Sequence, residues 1–130
     1  MPHPAGVTQP LALILYEKLL PGSQLVNRLQ DLGYRVEALS DAKELLTCAE
    51  QERPLLVLAD LVSTKNNVCE AIARLKRHEP TQHLPVLAFC AEDETQLMKA
   101  AADAGAALVV SEVAVTTHLE SLMDRALQVE

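Results

Sequence analysis

One acidic residue stands at the end of an unusually apolar stretch of the sequence. Asp60 ends PLLVLAD, residues 54–60, and a second apolar stretch, LALILY at 11–16, is followed by Glu17. A stretch without a polar position is typical of a strand covered on both faces, as in a parallel sheet flanked by helices. Because ligands and chemistry gather at the carboxyl edge of such sheets, Asp60 is either a reactive group or the remnant of one.

Other chemistry-bearing residues do not form a recognisable catalytic or metal-binding pattern. Cys48, Cys69 and Cys90 are odd in number and lack CxxC spacing, so neither a disulfide framework nor a zinc site is predicted. The histidines have no mutual spacing typical of metal binding; they are His3, His78, His83 and His118. No GxSxG, P-loop or GxGxxG motif is present, and the chain has only four glycines. We therefore expect no enzyme and no organic cofactor.

Composition predicts one small domain with an acidic surface. The chain has 130 residues, of which 49% are apolar, enough for a single core. Residues 1–10 hold three prolines and no periodic pattern, so we interpret them as a flexible leader to a domain spanning 11–130. The net charge of −7 and the 2% aromatic content argue against a nucleic-acid partner.

Local charge and hydropathy exclude two further classes of surface. The basic cluster at 74–78 lies between Glu70 and Glu79, which is typical of a solvated helix face. No stretch reaches the roughly 18 to 20 apolar residues that span a bilayer, and the N-terminus lacks a signal-peptide pattern. We expect no membrane partner and a cytoplasmic location.

Alternating strands and helices are predicted along the whole domain. The strands are 11–16, 34–39, 54–60, 86–91 and 107–111. The helices run from a cap at Ser23 to Gly33, from Ser40 or Asp41 to Ala49, over 68–75 and over 92–104, with a last one opened by the capping box 117–120. Because such alternation requires right-handed crossovers, the chain should form a parallel sheet with helices on both faces.

Several phrases in this order resemble the receiver domain of bacterial response regulators. LVNRLQDLGYRVEALSDAKELL is similar to the first helix, second strand and second helix of that family, and PLLVLADLV to the strand with its phosphoacceptor aspartate. LPVLAFCA resembles the fourth strand, and KAAADAGAALVVSE the fourth helix and fifth strand. The resemblance covers about residues 11–127. It implies a flavodoxin-like, doubly wound (βα)5 fold with strand order 2-1-3-4-5.

The resemblance also assigns roles to residues at the carboxyl edge of the sheet. In that family two acidic residues and the acceptor aspartate hold Mg²⁺, while a hydroxyl and a lysine contact the phosphoryl oxygens. Asp60 matches the acceptor and Glu17 the second acidic position. The sequence departs from the pattern at four positions: Tyr16 replaces the first acidic residue, Cys90 the hydroxyl, Glu112 the lysine and Val109 the aromatic residue of the fifth strand.

The lysine position carries the heaviest loss. A charge pair 4 Å apart is worth up to about 4 kcal/mol at an effective dielectric near 20, and Glu112 reverses the sign of that interaction. Phosphorylation of Asp60 should therefore be impaired or absent. One or two carboxylates with water still hold Mg²⁺ in some proteins, so Glu17 and Asp60 predict at most a weak magnesium site, with Glu112 as a third ligand if it reaches. We call Glu17, Asp60 and Glu112 the acidic pocket.

Each departure also has a purely structural interpretation. Asp60 is then a carboxylate hydrogen-bonded at the end of a strand. Cys90 is a small packed residue rather than a redox-sensitive thiol, because nearby carboxylates should raise its pKa. Tyr16 fills the pocket with apolar bulk instead of binding a metal.

Three functions remain open from the sequence. The first is a pseudo-receiver that binds a protein partner through its fourth helix, fifth strand and fifth helix, with Lys99, Asp103, Val109 and 116–122 as the region to test, and with a histidine kinase as a second candidate partner. The second is a working phosphorelay receiver that uses Asp60, Glu17 and Mg²⁺. The third is a flavodoxin-like module for a small anion or nucleotide, which the acidic pocket disfavours.

Overall fold

The computed structural model describes residues 9–64 and 67–128. The strands are β1 (Leu11–Leu15), β2 (Arg35–Leu39), β3 (Leu56–Asp60), β4 (Val86–Cys90) and β5 (Leu108–Ser111). The helices are α1 (Leu19–Asp31), α2 (Leu45–Glu52), α3 (Val68–Arg77), α4 (Thr95–Ala104), α5 (Glu112–Thr117) and α6 (Leu119–Gln128), and a 3₁₀ turn at Ala42–Glu44 precedes α2.

The five strands form one parallel sheet in the order β2-β1-β3-β4-β5. This confirms the predicted flavodoxin-like fold. The apolar strands β1, β3 and β4 are buried along their whole length, whereas β2 and β5 lie at the edges and stay partly exposed. The parallel register places Asp60 opposite Phe89, so β3 and β4 end side by side at the carboxyl edge.

Alternate residues of each central strand pack into two separate cores, one on each face of the sheet. Leu13 and Leu15 join the core beneath α2, α3 and α4, while Ala12 and Ile14 join the core beneath α1, α5 and α6. Because side chains alternate across a strand, a fully apolar sequence is what two covered faces require. The sheet therefore needs both layers of helices to be buried.

The start of α1 differs from the predicted cap at Ser23. Leu20 is extended, with φ −115° and ψ 140°, and the regular helix begins at Pro21 after a cis Leu20–Pro21 peptide bond. Proline suits the first helical position because its missing N–H would have no partner there. The predicted end is confirmed, since Gly33 has φ +94° and its N–H bonds to the Gln30 carbonyl.

Asp41, not Ser40, caps the second helical segment. Its carboxylate accepts a hydrogen bond from the Lys43 N–H at 2.9 Å, at the start of the 3₁₀ turn. The helix α2 ends at Glu52, three residues beyond the predicted end at Ala49. The fourth helix begins later than predicted, at Thr95 instead of residue 92.

The helix α5 was not predicted from the sequence, and the prediction of a capping box at 117–120 is wrong. Ser111 caps α5 by accepting a hydrogen bond from the Ala114 N–H at 3.1 Å. Thr117 ends this helix, and α6 begins at Leu119. β-Branched residues are poor helix formers, so the sequence VAVTT did not predict a helix. The burial of Val115 against the sheet provides the tertiary contact that stabilises it.

The basic cluster on α3 is mostly solvated, as predicted. Arg74 and Arg77 pair with Glu70 at 3.6 and 3.3 Å, and all three side chains are exposed. Lys76 departs from this pattern, because its ammonium donates to the Leu84 carbonyl at 2.8 Å.

The predicted leader lies outside the described residues except for its last two positions. There, the Pro10 carbonyl accepts a hydrogen bond from the Arg35 N–H at 2.8 Å. No helix in the described ranges is both long and apolar enough to cross a membrane.

Candidate functional site at the carboxyl edge

Asp60 is the last residue of β3 and is enclosed at the carboxyl edge. Only 1% of its surface is exposed. Its Oδ1 accepts a hydrogen bond from the Val62 N–H at 3.0 Å, whereas its buried Oδ2 has no hydrogen-bond partner among the described residues. The crevice around it, which Tyr16, Glu17 and Ser63 help to line, does not admit a sphere the size of a water molecule. Access to the carboxylate is therefore closed in this conformation.

The surroundings of Asp60 favour its neutral form. Burial raises its pKa, and the carboxylates of Glu112 and Glu17 raise it further. The Val62 N–H and the ammonium of Lys18 act in the opposite direction, but the pKa stays above its ordinary value. The environment therefore disfavours the charged form of Asp60 relative to a solvent-exposed aspartate.

Glu17 is occupied by the loop that follows β3. One of its carboxylate oxygens accepts a hydrogen bond from the Ser63 hydroxyl. The other accepts from the Thr64 N–H at 3.1 Å and from the Thr64 hydroxyl at 2.8 Å. Glu17 therefore ties the β3–α3 loop to the end of β1. The sequence analysis missed both hydroxyl residues, although their position directly after the Asp60 strand was a usable signal.

Glu112 forms an ion pair with Lys18, which was not predicted from the sequence. It is the first residue of α5, and its Oε2 lies 3.1 Å from the Nζ of Lys18. Lys18 precedes α1, and α1 and α5 cover the same face of the sheet. In the sequence, this contact was indicated only by a lysine directly after Glu17. The segment that it begins leads into α1, which covers the same face of the sheet as α5.

Tyr16 packs as part of the fold, against the start of α1. Its ring joins the core beneath α1, and a Cβ added at Gly22 would lie 2.1 Å from the ring carbon Cδ2. Tyr16 also lines the crevice beside Asp60. The Tyr16 ring therefore requires a glycine at position 22. Position 16 supplies no carboxylate to the pocket.

Cys90 and Val109 are packed apolar residues. Cys90 is fully buried, and its thiol lies 3.8 Å from the Glu94 carbonyl. Burial raises the pKa of Cys90 to about 11, with smaller contributions from Glu94, Asp60 and Glu112. The predicted effect of nearby carboxylates is confirmed. Val109 pairs with Ala88 in the sheet and packs against the core beneath α4.

The carboxylates of the acidic pocket do not fit the three-ligand magnesium site of the family pattern. In the described part of the chain, no three His, Cys, Asp or Glu side chains are close enough together to hold a metal ion. Both oxygens of Glu17 already accept hydrogen bonds, and Glu112 pairs with Lys18. The buried Oδ2 of Asp60 has no hydrogen-bond partner in the described ranges. A weak magnesium site on Glu17 and Asp60 stays a prediction.

The α4 part of the predicted partner face is charged. Lys99 and Asp103 are largely exposed and lie 3.9 Å apart on α4. Within the described ranges, the exposed large apolar residues include Val113 on α5, next to Glu112, and Leu19 and Leu20, next to Lys18.

The family model for the response regulator receiver domain matches residues 20–123. The chain belongs to this family. Receiver domains are signalling modules of two-component systems that interact with histidine kinases and other proteins. The acceptor role of Asp60, and the interpretation of the residues around it as departures from the family pattern, stay predictions.

Solved receiver structures agree with the fold. A response regulator from Chloroflexus aurantiacus has a TM-score of 0.85 at 20% identity, covering 92% of this chain and 98% of its own. The receiver domain of a sensor histidine kinase from Pseudomonas aeruginosa, with magnesium in its active-site cleft, has a TM-score of 0.83 at 18% identity and the same coverages.

A chemotaxis response regulator of Vibrio cholerae has a TM-score of 0.78 at 20% identity, covering 92% of this chain and 99% of its own. A search among curated proteins finds no match. Identities this low support the fold and leave the residues of the pocket to be judged by their own geometry.

Proposed function

We propose that this receiver domain has impaired phosphorylation of Asp60 and signals by binding a protein partner. The observation that carries the proposal is the carboxylate of Glu112 at the lysine position, on the residue that directly follows β5. A phosphoryl group on Asp60 would add negative charge to a pocket whose lysine position is already negative. Repulsion there opposes the product of phosphotransfer.

The burial of Asp60 supports the same conclusion. Phosphotransfer to Asp60 would form a bond between a carboxylate oxygen and phosphorus while the donor's P–O bond breaks. The crevice is too tight for a water-sized sphere. The approach of the donor is therefore disfavoured.

The direct test is exposure to acetyl phosphate with Mg²⁺, followed by intact mass spectrometry. Acetyl phosphate would transfer one phosphoryl group to Asp60 and release acetate. We expect no gain of phosphoryl mass in the wild-type chain under conditions that label an active receiver run in parallel. A labile phosphoryl adduct in the wild type that is lost in Asp60→Asn would contradict the proposal.

A working phosphoacceptor is the second candidate, and one observation favours it. The buried Oδ2 of Asp60 has no partner among the described residues, and an acceptor oxygen needs a free lone pair. The mass experiment separates the two functions, because only this one gives the Asp60-dependent adduct.

For the partner surface, we propose the face formed by α4, β5 and the helices after β5. Support comes from the exposure of Lys99 and Asp103, which leaves their helix surface open to another protein. A photo-crosslinking residue at 103 should trap a protein-sized adduct in cells. The same probe at Glu37, exposed on the opposite edge strand β2, is the matched control. Adducts of equal yield at both positions, or at 37 alone, would reject this face.

A further inference from the structure

An apolar patch is exposed at the carboxyl edge, around an ion pair. Leu19, Leu20 and Val113 are 72%, 56% and 68% exposed, and in the described structure none of them packs into either core. The two leucines directly follow Lys18, and the valine directly follows Glu112. The Nζ of Lys18 lies 3.1 Å from the Oε2 of Glu112, so these two apolar segments meet although they are far apart in the chain. We call the five residues the rim patch, because the ion pair that joins them lies at the rim of the acidic pocket.

The local backbone accounts for the exposure of the two leucines. The regular part of α1 begins only at Pro21, and Leu20 before it is extended, with φ −115° and ψ 140°. The buried face of α1 starts with Pro21 and Gly22, so the leucines precede it and contribute nothing to it. Large apolar side chains that are exposed singly are ordinary, but a contiguous group of them is typical of an interaction site.

The charges in and beside the rim patch restrict what can cover it. Two acidic residues, Glu92 and Asp93, line a groove together with Val113, so the anionic headgroups of a membrane would be repelled there. The patch itself carries one cation and one anion side by side, Lys18 and Glu112, which makes its charge pattern complementary to itself. A second copy of this chain is therefore the occupant that the charges favour.

A single two-fold arrangement satisfies both the charged and the apolar parts of the rim patch. Its axis lies in the interface, perpendicular to the line that joins Lys18 to Glu112. Rotation about this axis places Lys18 of each copy opposite Glu112 of the other. The same rotation places the leucine pair of each copy on the Val113 side of the other, so apolar groups meet apolar groups. Isologous contacts of this kind are the commonest form of self-association.

We infer that the rim patch is a self-association surface, through which two copies of this chain form a weak symmetric dimer by burying its three apolar side chains and exchanging Lys18–Glu112 ion pairs. The patch is small and each copy has a net charge of −7, so the affinity should be low. This surface lies at the start of α1 and α5, whereas the surface proposed for a protein partner is tested on α4. Self-association through it does not depend on phosphorylation, so the failure of either proposal leaves the other standing.

The experiment is sedimentation equilibrium of the full chain at about 0.15 M salt, where repulsion between the copies is screened beyond roughly 8 Å. We expect the average mass of the wild type to rise from one copy toward two as the concentration increases to about 1 mM. In Lys18→Glu and in Glu112→Lys both charge contacts of the dimer become like-charge contacts, so the dissociation constant should rise at least about tenfold. An equimolar mixture of these two variants should form dimers again, since each glutamate of one variant then faces a lysine of the other.

Lys99→Glu is the matched control for charge, because it makes the same change in net charge at an exposed lysine on α4. Leu55→Ser is the control for Leu19→Ser, since Leu55 is an exposed leucine outside the rim patch. Association should be weaker in Leu19→Ser and unchanged in both controls. The inference is overturned by a wild type that stays a single copy at the highest concentration, by equal affinities in Lys18→Glu and Lys99→Glu, or by a mixture of the two charge variants that does not associate.

Discussion

The interior of the sheet and its carboxyl edge follow different rules in this receiver domain. In the interior, β1, β3 and β4 are buried on both faces by apolar side chains alone. At the edge, Tyr16 follows β1, while β3 ends at Asp60 and β4 at Cys90. The Lys18–Glu112 ion pair and the hydrogen bonds that Glu17 accepts lie at this edge. The fold and the chemistry are therefore separable.

This difference indicates that residues at the carboxyl edge can vary while the architecture is retained. The cores that hold the helices contain none of the acidic-pocket carboxylates. Substitutions at the edge alter charge and access, but they leave the apolar burial that dominates stability. Variants in the two regions should accordingly differ in both the size and the kind of their effects.

The largest loss of stability is expected in the interior. Leu58 is fully buried in the central strand β3, so Leu58→Ala removes packed atoms and leaves a cavity. We expect a decrease of about 2 to 5 kcal/mol in the free energy of unfolding, measured by urea denaturation. Leu19→Ala, at a leucine that is 72% exposed, is the control and should change it by less than about 0.5 kcal/mol. Similar losses in both variants would break the distinction between interior and edge.

The next largest effect is expected where Tyr16 meets α1. In Gly22→Ala, the new methyl would lie 2.1 Å from the ring carbon of Tyr16, so the ring must move. We expect a loss of about 1 to 3 kcal/mol in urea denaturation. In a Tyr16→Ser background the same substitution should cost almost nothing. An equal cost in both backgrounds would show that the ring does not need the glycine.

A smaller effect of opposite sign is expected at Asp60. Its pKa is raised in the folded state, so the folded chain keeps this proton to higher pH than the unfolded chain does. Its contribution to stability is fully present below the ordinary value of 3.8 and is lost as the pH rises through the raised value. Asp60→Asn should therefore increase the free energy of unfolding at pH 8 by about 1 kcal/mol.

Urea denaturation at several pH values checks this sign. The gain from Asp60→Asn should shrink as the pH falls below the ordinary pKa of 3.8, where the carboxyl is protonated in both the folded and the unfolded chain. A variant that is less stable than the wild type at pH 8 would mean that the charged carboxylate stabilises the fold.

The smallest change in stability is expected for the rim ion pair, below about 1 kcal/mol. Its effect on chemistry should be larger. Glu112→Lys alone places two ammonium groups together, whereas the exchange Lys18→Glu with Glu112→Lys keeps the pair and the net charge. With acetyl phosphate and Mg²⁺, we expect about tenfold less labelling in the exchange variant, which has one ammonium at the rim, than in the single one, which has two, equivalent to about 1.4 kcal/mol. Equal labelling would show that the charge at the rim does not limit phosphotransfer.

The interior was predictable from the sequence because apolar runs and helical spacing are local signals. All five strands and their parallel arrangement were predicted correctly. Two helices were the exceptions. The regular part of α1 begins at Pro21, before the predicted cap at Ser23. The helix α5 was not predicted because its sequence is rich in β-branched residues, and the burial of Val115 stabilises it.

The candidate site was predictable only in part. The sequence places Asp60 and Glu17 at strand ends, but their partners depend on which loops meet in three dimensions. Lys18 contacts Glu112 across 94 residues, and Thr64 contacts Glu17 from the loop after β3. Such contacts follow from the packing of α1 and α5 on one face and not from any spacing along the chain.

The most direct test of the central claim, that this pocket no longer accepts a phosphoryl dianion, is titration with beryllium fluoride and Mg²⁺ followed by amide NMR. The Val62 N–H, which bonds to Asp60, and the amide of Val109 on β5 report on the pocket and on the strand beyond it. We predict no saturable shift of either amide. Saturable shifts of both amides in the wild type, absent in Asp60→Asn, would contradict the account.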